Sequence, residues 1–442
     1  MSNQMTKLRE VFELQKKHQW RVRTTNSIKR IEKLGLLKSR IRRYEDEIRQ
    51  ACYEDLKQNA EMSNGQISAT YSEIDEAIVN LESWMSPVDV EATNQIDGSR
   101  AYIRREARGI VLLFGPWNFP FSLVFQPLVS IISAGNCALV KPNELAPRTS
   151  AVTSKIIREA FAAEHIAVFE GGVDLANEML ELPVNHIFFT GSPVVGKAVM
   201  AAAAVHLASV TLELGGKNPV IVDRSANIED AAGKIVATRN VNCGQVCLCP
   251  ENIWIHQDCM SDFIKVARAT VDTIYYEDNV LNMELTGKII NSRNLSRIEE
   301  YLTDARDKGA VVVYGGQIDT ENQVVHPTML TDVDPDAVII KEEVFGPILT
   351  LFTYEHLNEV YESLHNEPTP LALYIFSEND AFIEDVLKNT NSGGVTINNC
   401  MLHVGEPNLP FGGVNGSGIG RYRGIHGFKE LSHERSVLQE RA

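Results

Sequence analysis

Apolar residues recur at helical spacing through residues 6–86, as at Ile28, Ile31, Leu34 and Leu37, and this pattern predicts a succession of helices. Within it, the basic run Lys38-Ser-Arg-Ile-Arg-Arg43 is followed at once by Glu45, Asp46 and Glu47, which marks a solvated helix face rather than a nucleic-acid surface. Over residues 95–108 the pattern changes to short alternating stretches and predicts an extended hairpin standing off the main body. A regular alternation then begins. Strands are expected at 109–114, 138–141, 166–170, 185–190 and 209–214, with helices at 121–133, from Pro147, at 174–182 and at 194–207. Strands separated by helices build a parallel, doubly wound sheet, which takes ligands where strand ends meet loops.

A second run of the same kind follows. Strands at 220–222, 252–256, 310–314, 372–376 and 394–398 accompany helices at 228–240, 260–274, 292–308 and 380–388. The fold class is therefore α/β, with two doubly wound domains facing across a cleft. A chain of 442 residues exceeds one ordinary core, in keeping with that division. Acidic residues outnumber basic ones by 58 to 42, a balance that disfavours a nucleic-acid or anionic-membrane partner. The first ten residues contain no apolar core, so no secretory signal is expected. The most apolar region, 110–140, is broken by Pro116, Asn118, Pro120, Gln126 and Pro127 and predicts no membrane span. Seven unevenly spread cysteines point to a reducing, cytoplasmic setting rather than a disulfide framework.

Three of those cysteines lie in Asn240-Val-Asn-Cys-Gly-Gln-Val-Cys-Leu-Cys-Pro250. A thiol on a Gly-containing loop after a helix can be a nucleophile if a field lowers its pKa or a base lies nearby. Cys243, Cys247, Cys249, His256 and Cys259 could instead hold a structural zinc. Glu213, in the apolar strand Thr211-Leu-Glu-Leu-Gly-Gly-Lys217, should be buried or line a cleft with a raised, base-like pKa. Asn118, in Gly115-Pro-Trp-Asn-Phe-Pro120, could donate its amide to an oxyanion or simply shape a turn. Lys141 and Glu144 end a strand where a ribose would lie, or form a surface ion pair. Gly191 to Lys197 fits the start of a phosphate loop, but Ala198 stands where a magnesium-binding Ser or Thr is needed, which argues against a nucleoside triphosphatase. The same turn suits a pyrophosphate or mere helix–sheet packing. His206 ends an Ala-rich helix and receives no role.

Taken together, these stretches resemble the aldehyde dehydrogenase superfamily, most closely its short, class 3-like branch. The matching signatures are Gly-Pro-Trp-Asn-Phe-Pro at 115–120, Lys-Pro-Asn-Glu at 141–144, Phe-Thr-Gly-Ser at 189–192 and Leu-Glu-Leu-Gly-Gly-Lys at 212–217. Gly-Gln-Val-Cys at 244–247, Glu-Glu-Val-Phe-Gly-Pro at 342–347 and Pro-Phe-Gly-Gly at 410–413 complete the set, in the family's order. The resemblance implies a Rossmann-like dinucleotide-binding domain (1–94 and 109–214), a catalytic domain (215–415) and bridging segments (95–108 and 416–442) in a homodimer. It implies Cys247 as nucleophile, Glu213 as general base, and Asn118 with the Cys247 N–H as oxyanion hole. NAD or NADP would be held by Trp117, Lys141, Glu144, the Gly191–Ser192–Gly196 turn, Glu343 and Phe345. Glu144 favours NAD by repelling a 2′-phosphate, while Lys141 could accommodate one.

The implied reaction is oxidation of an aldehyde to a carboxylic acid through a cysteine thiohemiacetal and thioester. Transfer of the acyl group to coenzyme A or phosphate is the alternative within enzymes, and a zinc-stabilised scaffold is the alternative outside them. Phe119, Cys243, Cys249 and Glu251-Asn252 depart from the branch's commoner residues. They are expected near a substrate tunnel, with a disulfide to Cys247 as a possible route of oxidative inactivation.

Overall fold

The computed structural model describes residues 3–92 and 99–440, and residues 95–98 of the expected hairpin lie outside them. Four helices fill the N-terminal stretch: α1 (Asn3–Arg23), α2 (Ser27–Arg43), α3 (Glu45–Leu56) and α4 (Ala60–Met85). Asn26 and Asn59 cap α2 and α4 by accepting the N–H of Lys29 and Met62 at 3.1 and 3.0 Å. Helix α2 buries Leu34, Leu37 and Ile41, while Lys38 pairs with Asp75 at 2.5 Å and Arg40 and Arg43 approach Glu159. The basic run is thus a solvated face matched by acidic neighbours.

Strands β1 (Val88–Val90) and β2 (Arg100–Ala107) pair antiparallel, and Ser432–Gln439 at the chain's end pairs with the whole of β2. The first large sheet contains β3 (Ile110–Phe114), β4 (Cys137–Lys141), β5 (Ile166–Val168), β6 (His186–Thr190) and β7 (Ser209–Glu213). They are parallel and lie in the order β7-β6-β3-β4-β5. Helices α5 (Ser122–Ala134), α6 (Pro147–Ala160), α7 (Val173–Leu180) and α8 (Pro193–His206) connect them. Every residue of β3 and β4 is buried, which is why they read as unbroken apolar runs rather than alternating ones. A two-residue strand, Gly418–Ile419, adds antiparallel to β7. The sheet starts at central β3 and winds outward both ways, so its switch point lies at the carboxyl ends of β3 and β6, where such sheets take ligands.

The second sheet is centred on β8 (Asn218–Val222) and β9 (Pro250–His256), with α9 (Ile228–Asn240) and α10 (Met260–Tyr275) following them. Ile348–Tyr354, Thr328–Thr331 and the antiparallel Val311–Tyr314 lie beyond β9, and Ala372–Phe376 and Gly394–Ile397 lie beyond β8. Two of these strands go beyond the expected pattern. Thr328–Thr331 is only four residues long, and Ile348–Tyr354 begins directly after Pro347, where Gly and Pro suggest a loop.

Candidate active site

Helix α9 stops at Asn240, and the turn Val241–Gly244 holds Asn242, Cys243 and Gly244 in left-handed backbone, with φ of 52, 54 and 72°. Glycine is required at 244, where a Cβ would strike the backbone of Gly346 and Pro347. Left-handed backbone at the two non-glycine residues costs of order 1–3 kcal/mol each, so the surroundings must enforce it. At Asn242 hydrogen bonds do so: its Oδ1 accepts from Gln58 Nε2 (3.1 Å), its Nδ2 donates to the Asn118 carbonyl (3.0 Å) and its own carbonyl accepts from Gln245 Nε2 (3.0 Å), and the loop that follows is fastened in the same way. Asn218 Nδ2 donates to the carbonyls of Cys247 (2.8 Å) and Cys249 (2.9 Å), Tyr374 Oη to that of Leu248 (2.6 Å), and Gln245 Nε2 to that of Lys288 (2.8 Å). Of the seven free thiols, six are buried and only Cys247 is partly exposed.

The field at Cys247 runs opposite to the lowering that a reactive thiol invites. Burial, then the Glu343 and Glu213 carboxylates, push its thiol pKa up, and its own backbone N–H pulls it back only slightly. This leaves the other condition, a base close by. Glu213 is buried at the end of β7, both its oxygens lack a hydrogen-bond partner, and burial holds it well above the usual carboxylate range despite Arg421 and Arg423. Glu343 is raised to about 8 by burial and by Glu251, against the Gly216 N–H, Arg239 and Lys217. Two carboxyls that resist ionisation therefore attend the sulfur.

Asn118 projects from the loop after β3 and is buried, its Nδ2 donating to the Gln245 carbonyl at 3.0 Å. That bond ties the first large sheet to the cysteine loop. The neighbouring Trp117 meets Phe345 edge to face, with centroids 5.4 Å apart and planes at 82°, so this contact also crosses between the halves. Phe345 is itself left-handed, at φ 47°.

The residues expected at a dinucleotide lie on consecutive strand ends. Lys141 closes β4, with its ammonium buried 2.8 Å from Glu144 Oε2. Ser192 caps α8 by accepting the Val195 N–H (3.5 Å), and Pro193 opens the helix. A Cβ on Gly191 would meet the Phe189 ring at 2.5 Å, and one on Gly196 would meet Leu214 at 2.7 Å. Both glycines are thus explained by packing, yet the same packing leaves an exposed helix N-terminus beside Ser192, the end of a helix that attracts an anion. Glu343 lies across from it against Gly215, where a side chain would fill the carboxylate's place. A dinucleotide's phosphates and two sugars fit this series of groups.

Two expectations are corrected. Glu251 and Asn252, expected near a substrate tunnel, are buried and committed to structural partners. Glu251 is buried, bonds Lys217 Nζ at 2.5 Å, accepts the Val344 N–H at 3.1 Å and approaches Arg239 at 3.4 Å, while Asn252 accepts from Thr350 Oγ1 at 2.6 Å. Lys217 also donates to the carbonyls of Ile339 (2.7 Å) and Glu342 (3.2 Å), so this ionic group fastens the 342–347 loop beneath Glu343. Cys243 and Cys249 are buried as well, in separate apolar clusters. The thiols that the alternative zinc reading would need also diverge. Sγ of Cys243 faces the Val325 carbonyl, that of Cys249 the Thr238 carbonyl and that of Cys259 the Arg224 carbonyl, and among the described residues no group of three His, Cys, Asp or Glu side chains could hold a metal. His206 is exposed and bonds the Glu181 carbonyl at 3.1 Å.

Comparison with known proteins agrees with this geometry. Residues 3–437 match the aldehyde dehydrogenase family. AldX of Bacillus subtilis (strain 168) is 41% identical over 437 residues, 98% of each chain. The 4,4'-diaponeurosporen-aldehyde dehydrogenase of Staphylococcus aureus is 38% identical over 410 residues, 92% of this chain and 88% of that one. The solved structure of Staphylococcus aureus AldH in its substrate-bound state matches with a TM-score of 0.94 at 36% identity, covering 98% of this chain and 94% of that one. The chain belongs to the aldehyde dehydrogenase family and is an NAD(P)-dependent enzyme that oxidises aldehydes.

Proposed function

We propose that Cys247 is the nucleophile, Glu213 the general base and Asn118 the oxyanion donor of this oxidation. The carrying observation is the partly exposed Cys247 thiol coupled to a buried, unpartnered Glu213 carboxylate. Loss of the thiol proton to one of the neighbouring carboxylates frees the sulfur to attack the aldehyde carbon. The oxygen that gains charge accepts from the Cys247 N–H and from the Asn118 amide, which has two N–H groups and gives one to Gln245. The nicotinamide, when bound, supplies hydride acceptance, and the acyl group is left on Cys247 as a thioester. Glu213 then takes a proton from water, whose oxygen attacks the thioester carbon and releases the carboxylic acid and the thiol.

Trp117, Lys141, Glu144, Gly191, Ser192, Gly196, Glu343 and Phe345 would hold the cofactor. Lys141 balances the charge of Glu144 at 2.8 Å, which supports acceptance of both NAD and NADP. Cys247 packs against the main apolar cluster, as does Phe119 beside Asn118, which supports an apolar aldehyde as substrate. We assign residues 1–94 and 109–214 to cofactor binding, 215–415 to catalysis, and 95–108 with 416–442 to bridging. Strong exposure of Val194, Val195, Met200, Val205 and Leu207 on and just after α8 supports a homodimer. No helix among the described residues is long and apolar enough to cross a membrane. The seven free thiols support a cytoplasmic location.

Four outcomes follow from this reading. In rapid mixing, Glu213→Gln gives a burst of reduced cofactor and then turns over slowly, whereas Cys247→Ala gives no burst. A burst from the latter overturns the assignment. Along propanal, butanal, pentanal and hexanal, kcat/KM rises about three- to fourfold per methylene, the value of roughly 0.8 kcal/mol for each CH₂ buried. A flat series removes the apolar-substrate reading. Light scattering of the purified protein gives twice the chain mass, and a monomer refutes the dimer. Finally, Glu343 binds its proton up to about pH 8 in the folded protein but ordinarily only to 4.5, so stability falls as pH rises through that window. Glu343→Gln escapes the loss. Its melting temperature relative to the parent climbs between pH 4.5 and 8, and a difference independent of pH contradicts the account.

A further inference from the structure

Five buried amide residues, Gln66, Gln58, Asn118, Asn242 and Gln245, are joined by a continuous chain of hydrogen bonds that runs through side chains and through the main-chain carbonyls of Asn118 and Gln245. They come from three separate parts of the chain, namely the N-terminal helices, the loop after β3 and the cysteine loop. Gln66 Oε1 accepts the backbone N–H groups of Phe121 and Ser122, each at 3.2 Å. Its Nε2 donates to Gln58 Oε1 at 2.7 Å. Gln58 Nε2 in turn donates to the Asn118 carbonyl at 2.8 Å and to Asn242 Oδ1 at 3.1 Å. Asn242 Nδ2 donates to that same Asn118 carbonyl at 3.0 Å, and Asn118 Nδ2 reaches the Gln245 carbonyl at 3.0 Å.

The direction of this chain is determined at its ends. Backbone N–H groups can only donate and backbone carbonyls can only accept, so Gln66 must present Oε1 to Phe121 and Ser122, and Gln58 must present Nε2 to the Asn118 carbonyl. With both ends set, each amide between them has a single orientation. Gln245 is fixed in the same way, its Oε1 accepting the Ile290 N–H at 2.9 Å and its Nε2 donating to the carbonyls of Asn242 (3.0 Å) and Lys288 (2.8 Å). A buried amide that loses its partner is costly, so the network resists any shift of one member alone.

We infer that Gln58, backed by Gln66, is a positioning residue for the oxyanion hole: it locks the backbone of Asn118 against the cysteine loop so that the Asn118 amide stands at a fixed place relative to Cys247. The inference rests on the assignment of Asn118 as oxyanion donor. An oxyanion donor acts through where it stands, and deleting one outright costs about 10²–10³ in rate. Loosening one should cost less, about tenfold, while the sulfur itself is untouched. Because every member is neutral, the effect should not change with pH.

The test uses p-nitrophenyl acetate, whose carbonyl is attacked by the Cys247 sulfur. A C–S bond forms, p-nitrophenolate leaves, the thiol proton passes to a base, and the charged intermediate needs the oxyanion hole. Iodoacetamide is the control, since displacement of iodide by the same sulfur makes no oxyanion. Gln58→Met should slow p-nitrophenolate release about tenfold at every pH from 6 to 9, leave alkylation by iodoacetamide unchanged, and have less than a twofold effect when added to Asn118→Ala. Gln66→Met breaks the chain one bond further out and should give the same pattern, so the result does not depend on one variant folding. Equal slowing in both backgrounds, or equal slowing of alkylation, would show a general structural role and overturn the inference. A slow Asn118→Ala beside fully active Gln58→Met and Gln66→Met overturns the inference and leaves the oxyanion reading standing. A fully active Asn118→Ala overturns both.

Discussion

A thiol that feels the charge of two carboxylates resists losing its proton, and much of the site's design follows from that repulsion. Glu343 and Glu213 each raise the Cys247 pKa, and the nearby cations act mainly on the carboxylates. Arg421 and Arg423 ease the ionisation of Glu213, while Arg239 and Lys217 ease that of Glu343. Sulfur and carboxylates therefore do not titrate independently, and adding charge at one raises the cost at the others. A proton leaving the sulfur needs a vacancy on a carboxylate. Because the thiolate is the species that attacks and is oxidised, a raised pKa keeps the reactive fraction of the resting thiol small.

The two flanks of the sulfur are held by different chemistry. On the Glu343 side the support is ionic: Lys217, Glu251 and Arg239 are almost wholly buried, and their bonds run into the backbone of the 342–347 loop. On the Asn118 side the support is neutral amides. The difference suits what each flank carries. A carboxyl raised to about 8 needs cations beneath it if it is to ionise at all. The oxyanion donor we propose on the other flank needs a fixed position instead, and a full charge behind it would add a field where charge develops and decays within one turnover.

Local readings of the sequence succeeded where the cause of the structure was itself local. Glu213 sits among apolar residues of a strand, so its burial and raised pKa were legible, as was the placing of Lys141, Gly191 and Glu213 at strand ends. The direction of the Cys247 shift was not, because one of the carboxylates responsible, Glu343, is far away in the chain. Glu251 was misread for the same reason: its partners Lys217 and Arg239 come from other elements, and its closeness to Cys247 in sequence pointed to a tunnel. Gln58 and Gln66 gave no signal, since a glutamine in or beside an amphipathic helix reads as solvent-facing. The final strand is mostly exposed and polar, and only its pairing with β2 makes Ser432–Gln439 a strand.

Close approach of backbones joins these threads. The left-handed turn at 242–244 is tolerable at Gly244 because Gly346 and Pro347 leave no room for a side chain there, and Gly346 in turn admits no Cβ without meeting Ile298. The cysteine loop and the Glu343 loop thus interlock through glycine. Phe345, beside that contact, is itself left-handed and turns its ring onto Trp117, one residue from Asn118. A shift of either loop would strain backbone that is already in a sparsely populated region, and would separate the rings. Cys247, Asn118 and Glu343 therefore keep their spacing as one unit, even though the three residues belong to segments that no local pattern in the sequence connects.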